Sequence, residues 1–375
     1  MANVLMLNYA SLKESLRAVL PVIKNHTTRP VIQNVLLKFC QESVRLVSTD
    51  MVCYLQADVE KEIVRGAPGE ALISARILSQ ILTENESDVV KVDVDRNHVG
   101  ITIGNAEYTL PSPEASEFPV WPDCRPQYQF EINSAAMHAG IQLTSFAASK
   151  AEERPGLTGV MLDFEESGSV NFVATDTRRV SAYGIHLSDS FKGISAKPIL
   201  TAVSCKAIQK MFPDSVEYNL NIGITPSSIV VEGKGRKLFS LLSEGRFPNW
   251  RSILPKKDKR YQTDIFAGKF LNGVRLGSMS AERESNAVDI SIKNNEMVIR
   301  SMSEKLGFSN VRIVATHDDR YSRGVRLDAK KLGDFLKLIP PEGVVQFYCP
   351  ASDDPVLLAF GDSQSYILAP MESNE

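Results

Sequence analysis

The same text occurs twice in this chain. Arg29-Pro30-Val31-Ile32-Gln33-Asn34-Val35-Leu36-Leu37 leads to Arg45-Leu46-Val47-Ser48-Thr49-Asp50, and Arg154-Pro155-Gly156-Leu157-Thr158-Gly159-Val160-Met161-Leu162 leads to Asn171-Phe172-Val173-Ala174-Thr175-Asp176. The Arg-Pro pairs stand 154 − 29 = 125 positions apart and the Thr-Asp pairs 175 − 49 = 126. Further on, Ser116-Glu117-Phe118-Pro119-Val120-Trp121 matches Gly245-Arg246-Phe247-Pro248-Asn249-Trp250, with 247 − 118 = 129 between the Phe-Pro pairs. A repeat of this period constrains the fold more than any composition, because it sets the unit that must fold. A third copy is fainter: Ser285 to Ile290 stands where a strand should follow the first helix, and Met297 to Ser301 follows as its hairpin partner. Three units of about 125 residues fill the 375, each the size of one domain. The expected domains are 1–127, 128–257 and 258–375, with linkers near Pro122 to Gln127 and Pro255 to Tyr261.

Each unit alternates short strands with two amphipathic helices. Ser11 to Leu20 places Leu12, Leu16, Val19 and Leu20 on one face, and Ser74 to Leu82 places Ile77, Leu78, Ile81 and Leu82. In the second unit Asn133 or Ser134 caps a helix reaching Ser149, with Met137, Gly140, Ile141 and Thr144 inward, and a later helix over Val203 to Phe212 stops at Pro213. In the third, Phe270, Leu271 and Val274 line one helix, and Leu332, Phe335, Leu336 and Ile339 line another that starts at Asp328. The runs between helices are short and alternating, as in antiparallel sheet. The fold class is α+β: two helices packed on antiparallel sheets, three times over. The tail Glu372 to Glu375 reads as disordered.

Chemistry is sparse. The five histidines are scattered singly, and His317-Asp318-Asp319, the best metal candidate, reads as a solvated loop. Gly233-Lys234-Gly235-Arg236-Lys237 lacks phosphate-loop spacing and reads as a hairpin turn. No nucleophile stands in an elbow motif. The five cysteines are odd in number and none form C-x-x-C, which favours a reducing cytoplasm over a disulfide or zinc framework. The N-terminus has no signal-peptide pattern, and no apolar run is long enough to span a membrane. No cofactor or metal is expected, and the chain reads as a binding or structural device.

The net charge of −3 excludes a globally basic nucleic-acid binder. The helices are nevertheless biased to cations on their outer faces: Lys13 and Arg17, Arg76, Lys206 and Lys210, Lys269 with Asn272 and Arg275, and Lys330, Lys331 and Lys337. The helix from Ser134 offers only His138 and then Lys150. One charge pair is ordinarily a solvated face. Five such faces on an acidic protein point to one shared positive surface suited to phosphates rather than bases.

Four segments carry a resemblance to a known family: Thr-Thr-Arg-Pro-Val-Ile-Gln-Asn-Val-Leu-Leu from Thr27, Val-Ala-Thr-Asp-Thr-Arg-Arg-Val-Ser-Ala-Tyr from Val173, Glu-Gly-Arg-Phe-Pro-Asn-Trp-Arg-Ser-Ile-Leu-Pro from Glu244, and Tyr-Ile-Leu-Ala-Pro-Met from Tyr366. Spread over all three units, they make the chain similar to the bacterial sliding clamps, the beta subunits of DNA polymerase III. The resemblance implies two chains paired head to tail in a ring of six like domains, whose helices surround double-stranded DNA without reading its sequence. Lys13, Arg17, His26, Arg76, Lys150, Lys206, Lys210, Lys269, Arg275, Lys330, Lys331 and Lys337 would face the duplex. Tyr108, Leu110 and Met279 match the dimer interface. Replicative polymerase, clamp loader and other partners would insert a short peptide between the second and third domains, against Arg154, Leu157, Thr175, Thr177, Arg178, Arg179, Val180, Pro248, Ser252, Ile253, Pro355, Ile367, Leu368, Ala369, Pro370 and Met371. An apolar cleft with polar rims suits such an anchor.

The chain departs from the family pattern at three places. Many members have Gly-His at Thr177-Arg178, a methionine at Ala369 and an arginine at Glu372. The resemblance implies a non-catalytic role: to keep a polymerase on its template. The alternatives from the residues alone are a hydrolase or transferase using His317-Asp318-Asp319 or Arg178-Arg179, disfavoured by the missing nucleophile and base, and a protein-binding scaffold that does not act on DNA, disfavoured by the cationic helices.

Overall fold

A computed structural model of the chain describes residues 3–151, 153–187, 196–213, 216–293, 295–317, 323–350 and 354–372. Asp318, Asp319 and the tail beyond Glu372, on which two expectations fell, lie outside them.

The order of elements repeats three times. The first copy runs β1 (Asn3–Asn8), α1 (Tyr9–Val19), β2 (Asn34–Phe39), β3 (Val44–Thr49), β4 (Cys53–Val59), β5 (Lys61–Arg65), β6 (Gly69–Ser74), α2 (Ala75–Glu84), β7 (Val89–Val94), β8 (His98–Ile103) and β9 (Ala106–Pro111). The second runs β10 (Tyr128–Asn133), α3 (Ser134–Gln142), β11 (Val160–Phe164), β12 (Ser169–Thr175), β13 (Arg179–His186), β14 (Ile199–Leu200), α4 (Ala202–Met211), β15 (Asn219–Ile224), β16 (Ser228–Gly233) and β17 (Arg236–Leu241). The third runs β18 (Gln262–Phe266), α5 (Ala267–Gly277), β19 (Ala287–Lys293), β20 (Glu296–Ser303), β21 (Gly307–Val314), β22 (Thr316–His317), β23 (Arg323–Asp328), α6 (Ala329–Leu336), β24 (Val344–Tyr348), β25 (Val356–Phe360) and β26 (Gln364–Leu368). The class is α+β as expected, and β19 and β20 form the hairpin read from Ser285 to Ser301.

The chain condenses into two compact units, residues 1–139 with 200–243 and residues 140–199 with 244–375, which divide the middle copy between them. The first unit holds a five-stranded sheet, β5-β1-β7-β8-β9, and an eight-stranded sheet, β10-β15-β16-β17-β4-β3-β2-β6. The second holds a nine-stranded sheet, β14-β11-β12-β13-β26-β25-β24-β18-β22, and a four-stranded sheet, β21-β20-β19-β23. Two antiparallel pairings of the same kind build the larger sheets. β17 joins β4, from Arg236 opposite Ala57 to Ser240 opposite Cys53. β26 joins β13, from Leu368 opposite Arg179 to Gln364 opposite Tyr183. In each, the last strand of one copy pairs with the third strand after the first helix of the copy before it. The corresponding strands left over, β9 and β21, are sheet edges.

Helix boundaries follow from capping. The Asn8 side chain accepts from Ser11 N at 2.9 Å, Thr201 caps α4, and Asp328 accepts from Lys330 N and Lys331 N at the start of α6. Each helix then buries an apolar stripe: Leu12, Leu16 and Val19 in α1, Phe270 and Val274 in α5, Leu332, Phe335 and Leu336 in α6. Two expectations are corrected. The helix from Ser134 ends at Gln142, and a separate 3₁₀ turn covers Ser145–Ala147. There Thr144 Oγ1 bonds back to Gly140 O at 2.6 Å and Leu143 O accepts from Ser181 Oγ, so the carbonyls that would continue the helix are occupied. Gly140 is required at that turn, since a Cβ would lie 2.5 Å from the Phe172 ring. In α2, Ile77 points outward; the buried residues are Ala75, Leu78, Ile81 and Leu82.

Candidate functional site

The repeated Thr-Asp pair builds the same turn in both copies. In the second, Thr175 Oγ1 donates to Arg179 O at 2.7 Å and accepts from Thr177 N at 3.1 Å, while Asp176 Oδ1 accepts from Arg178 N and Arg179 N. In the first, Thr49 Oγ1 donates to Cys53 O and accepts from Met51 N, both at 2.9 Å, while Asp50 Oδ1 accepts from Val52 N and Cys53 N. Met51 and Thr177 occupy the same left-handed conformation, with φ of 76° and 75°. A β-branched residue in that region, as at Thr177, costs about 1–2 kcal/mol relative to glycine. The turn holds its shape without glycine because four hydrogen bonds fix it.

Where the copies differ, the middle one has gained charge. Arg179 stands in the place of Cys53 and is almost fully buried. Its Nε donates to Asp176 at 3.0 Å, Nη1 to Asp334 at 3.0 Å and Nη2 to Phe146 O at 2.8 Å, with the guanidinium 5.5 Å from the Phe146 ring centre. Burial alone would lower its pKa; Tyr366, Asp334 and Asp176 outweigh that and hold it above the ordinary arginine value. The Tyr366 ring, stacked 4.8 Å from Phe335, is buried beneath, and desolvation pushes its hydroxyl pKa up. Lys331 also turns to this node, 3.6 Å from Asp176 and 3.5 Å from Asp328. That corrects its grouping with the outward lysines: neighbours on a helix point about 100° apart, so Lys330 and Lys331 take different faces.

The Trp250–Ile253 turn is anchored from below. Asp163 on β11, with a side chain 2% exposed, accepts from Trp250 Nε1 at 2.9 Å and from Arg251, and pairs with Lys197 at 3.2 Å. Arg251 also bonds Glu165 at 2.7 Å and lies over the Trp250 ring. Trp250 packs with Met161, Val173, Val180 and Ile367. Nearby, Gly156 packs tightly: a Cβ there would lie 3.2 Å from the Arg246 backbone, which would have to give by a few tenths of an ångström. Burial raises the Asp163 pKa, but the Trp250 and Lys197 hydrogen bonds and the Arg251 charge outweigh it and leave the carboxyl below its usual range. A depressed carboxylate stabilises the fold above its unfolded pKa, about 3.9, and that share is lost as pH falls through the folded value. Asp163→Asn is therefore expected to flatten the loss of thermal stability below about pH 4, and Asp163→Ala to cost about 2–3 kcal/mol at neutral pH. Thermal melts from pH 3 to 7 check both, and an unchanged acid limb in the Asn variant would contradict the first.

The structure sorts the sixteen residues expected to line the groove, all in the second unit. Leu157, Thr175, Arg179, Val180, Ile367 and Leu368 are buried; Pro355, Ala369, Pro370 and Met371 are half-buried; Arg154, Thr177, Arg178, Pro248, Ser252 and Ile253 are exposed. A cavity of about 580 Å³ gathers Arg178 and Leu368 to Glu372 with Glu284, Ser285, Asp328 and Lys331. Sequence reasoning did not place Glu284, Ser285 and Asp328 at the site, having read Ser285 as the start of a repeat copy and Asp328 as a helix start, and it missed Asp163 beneath the Trp250 turn.

The cationic residues divide by unit. In the first, a cleft of about 550 Å³ between α1 and α4 brings Arg17, Lys206 and Lys210 together with Arg236 and Glu14. In the second, a cleft of about 500 Å³ between α5 and α6 is lined by Asn272, Arg275, Lys330 and Lys337. Lys13 donates to Tyr9 OH at 2.7 Å, and Lys269 lies over the Phe266 ring. His26, Arg76 and Lys150 are exposed and line neither cleft. On the edge strand β9, Tyr108 is half-buried and Leu110 buried, while Met279 is 64% exposed. On the other edge, β21, Phe308 and Val314 are exposed, with Met302 and Leu306 beside them.

Two family models match, described as the N-terminal and central domains of the DNA polymerase III beta subunit, over residues 4–122 and 131–249. The beta sliding clamp of Bacillus subtilis is 26% identical over 337 residues, covering 88% of each chain. That of Chlamydia trachomatis is 24% identical over 306 residues, covering 80% of this chain and 71% of its own. Among solved structures, a sliding clamp of Pseudomonas aeruginosa bound to griselimycin aligns over the whole of both chains with a TM-score of 0.92 at 20% identity. The Bacillus subtilis clamp aligns over both whole chains with a TM-score of 0.90 at 23% identity. At these identities the structural likeness establishes the fold.

Proposed function

The chain belongs to the bacterial DNA polymerase III beta subunit family, and from that premise we propose that it is a non-catalytic processivity factor, a ring of two copies that encircles duplex DNA. One observation carries the reading. Twice within the chain the last strand of one copy pairs with the third strand after the first helix of the copy before it, β17 with β4 and β26 with β13, and one strand of each kind, β9 and β21, is left as an edge. The unused pair is self-complementary between chains: β9 of one copy meets β21 of a second, and the same pairing on the far side closes the ring. Three domains, 1–127, 128–257 and 258–375, are the repeating members.

The clefts of Arg17, Lys206 and Lys210 and of Arg275, Lys330 and Lys337 offer cations to phosphates without base-reading groups. Weak contact of that kind suits a ring that holds DNA by topology and slides. The groove around Arg178 and Ala369 to Met371 receives apolar peptides of polymerase and loader, and the protein works in the cytoplasm. The test is release from ends. Loaded on a nicked circle, the protein is expected to stay through gel filtration and to leave within minutes once the circle is cut. Equal retention on cut and uncut DNA would mean ordinary binding and sink the ring.

A further inference from the structure

At the groove, Arg178 has a fixed backbone and a free head. Its N–H donates to Asp176 Oδ1 at 2.9 Å and its carbonyl accepts from Ala369 N at 2.9 Å. Its guanidinium has no ion-pair partner among the described residues, whereas its neighbours Arg179 and Lys331 are committed to carboxylates. From Ala369 the chain runs along the same cavity through Pro370 and Met371, whose N–H donates to Arg326 O at 2.8 Å, to Glu372. Glu372 is exposed, and no ion pair holds it among the described residues; the same is true of Glu284, which also lines the cavity. The cavity therefore has an apolar strip with one free cation beside its start and a free acid three residues on, about 10 Å if that strip is extended.

We propose that the groove selects its peptide partners by charge order: an acidic residue seated on Arg178, apolar anchors on Ala369 to Met371, and a basic residue beside Glu372. This rests on the groove reading above. Opposite ends of opposite sign make one order of flanking charges attractive and the reverse order repulsive at both ends, so the discrimination exceeds that of a single pair.

The test uses the full chain and three fluorescein-labelled peptides sharing a Leu-Leu-Phe anchor. One carries Asp before and Lys after it, one carries the two exchanged, and one carries Ser at both places. Fluorescence anisotropy at low salt is expected to show the two charged peptides differing about 5- to 20-fold in Kd, with the Ser peptide between them. The double variant Arg178→Glu, Glu372→Arg is expected to reverse that order. Equal affinity for both charge orders, or the same order kept by the double variant, overturns the charge-order inference while the groove stands. Failure of the Ser peptide to bind any of these proteins removes the groove reading, and the inference with it.

Discussion

A chain carrying Phe308→Asp is expected to run as a 41.4 kDa monomer at micromolar concentration, where the parent runs at twice that mass. Phe308 is the second residue of β21. Its counterparts in the two internal joins are Tyr54, opposite Phe239, and Val180, opposite Ile367, and all four are buried. Phe308 itself is 60% exposed, on an edge strand paired with β20 on one side only. The hairpin β8–β9 pairs Ile103 with Ala106 as β16–β17 pairs Gly233 with Arg236, which puts Thr109 in the place of Phe239. On the proposed pairing of β9 with β21, Phe308 of one copy would fall opposite the small Thr109 of the other. A carboxylate there would be buried without a partner, at about 2 kcal/mol or more per joint. Two-fold symmetry doubles the effect, so the dimer weakens about 1,000-fold. Sedimentation velocity reads the outcome, and an intact dimer would remove Phe308 from the joint.

The joint also shows what a sequence conceals. The repeat was legible because the Thr-Asp turn needs particular side chains at particular places, and a turn so specified survives as text in both copies. Helix faces were legible because burial imposes a period. An open sheet edge imposes nothing on its own strand, so β21 read as one more alternating run. The available signal was Met302, Leu306 and Phe308, apolar residues crowded around a turn where solvent-facing ones belong. Asp163 was hidden for a related reason: it sits on an ordinary strand, and only the fold brings Trp250, Arg251 and Lys197 to it.

Adjacent charges were the other limit. Arg178 and Arg179 read as a single cation pair at a bend, and Lys330 and Lys331 as one basic helix face. In both pairs the backbone sends the two side chains apart, one to an open cavity or cleft and one into the Asp176 node. Sequence supplied the chemistry at these positions, and the turn and helix geometry decided which of each pair is free to meet a ligand.

That separation has a large consequence for stability. Arg179→Ala is expected to cost about 3–4 kcal/mol, and Arg178→Ala less than about 0.5 kcal/mol. Removing the Arg179 guanidinium leaves Asp176, Asp334 and Phe146 O without their shared donor, near the buried Tyr366. Asp334 is 32% exposed and recovers water, and Lys331 remains 3.6 Å from Asp176, which keeps the cost below that of a fully enclosed pair. Arg179→Lys recovers only part, because one ammonium cannot serve three acceptors spread around a planar fork. Thermal melts rank the three variants, and peptide anisotropy completes the contrast: Arg178→Ala keeps the melting temperature and reduces the charge-order preference to the share that Glu372 supplies. Equal destabilisation by the two alanine variants would show that the pair acts as one element. Arg179 holds the turn that presents Arg178, so the residue that binds is cheap to replace only while its neighbour stays in place.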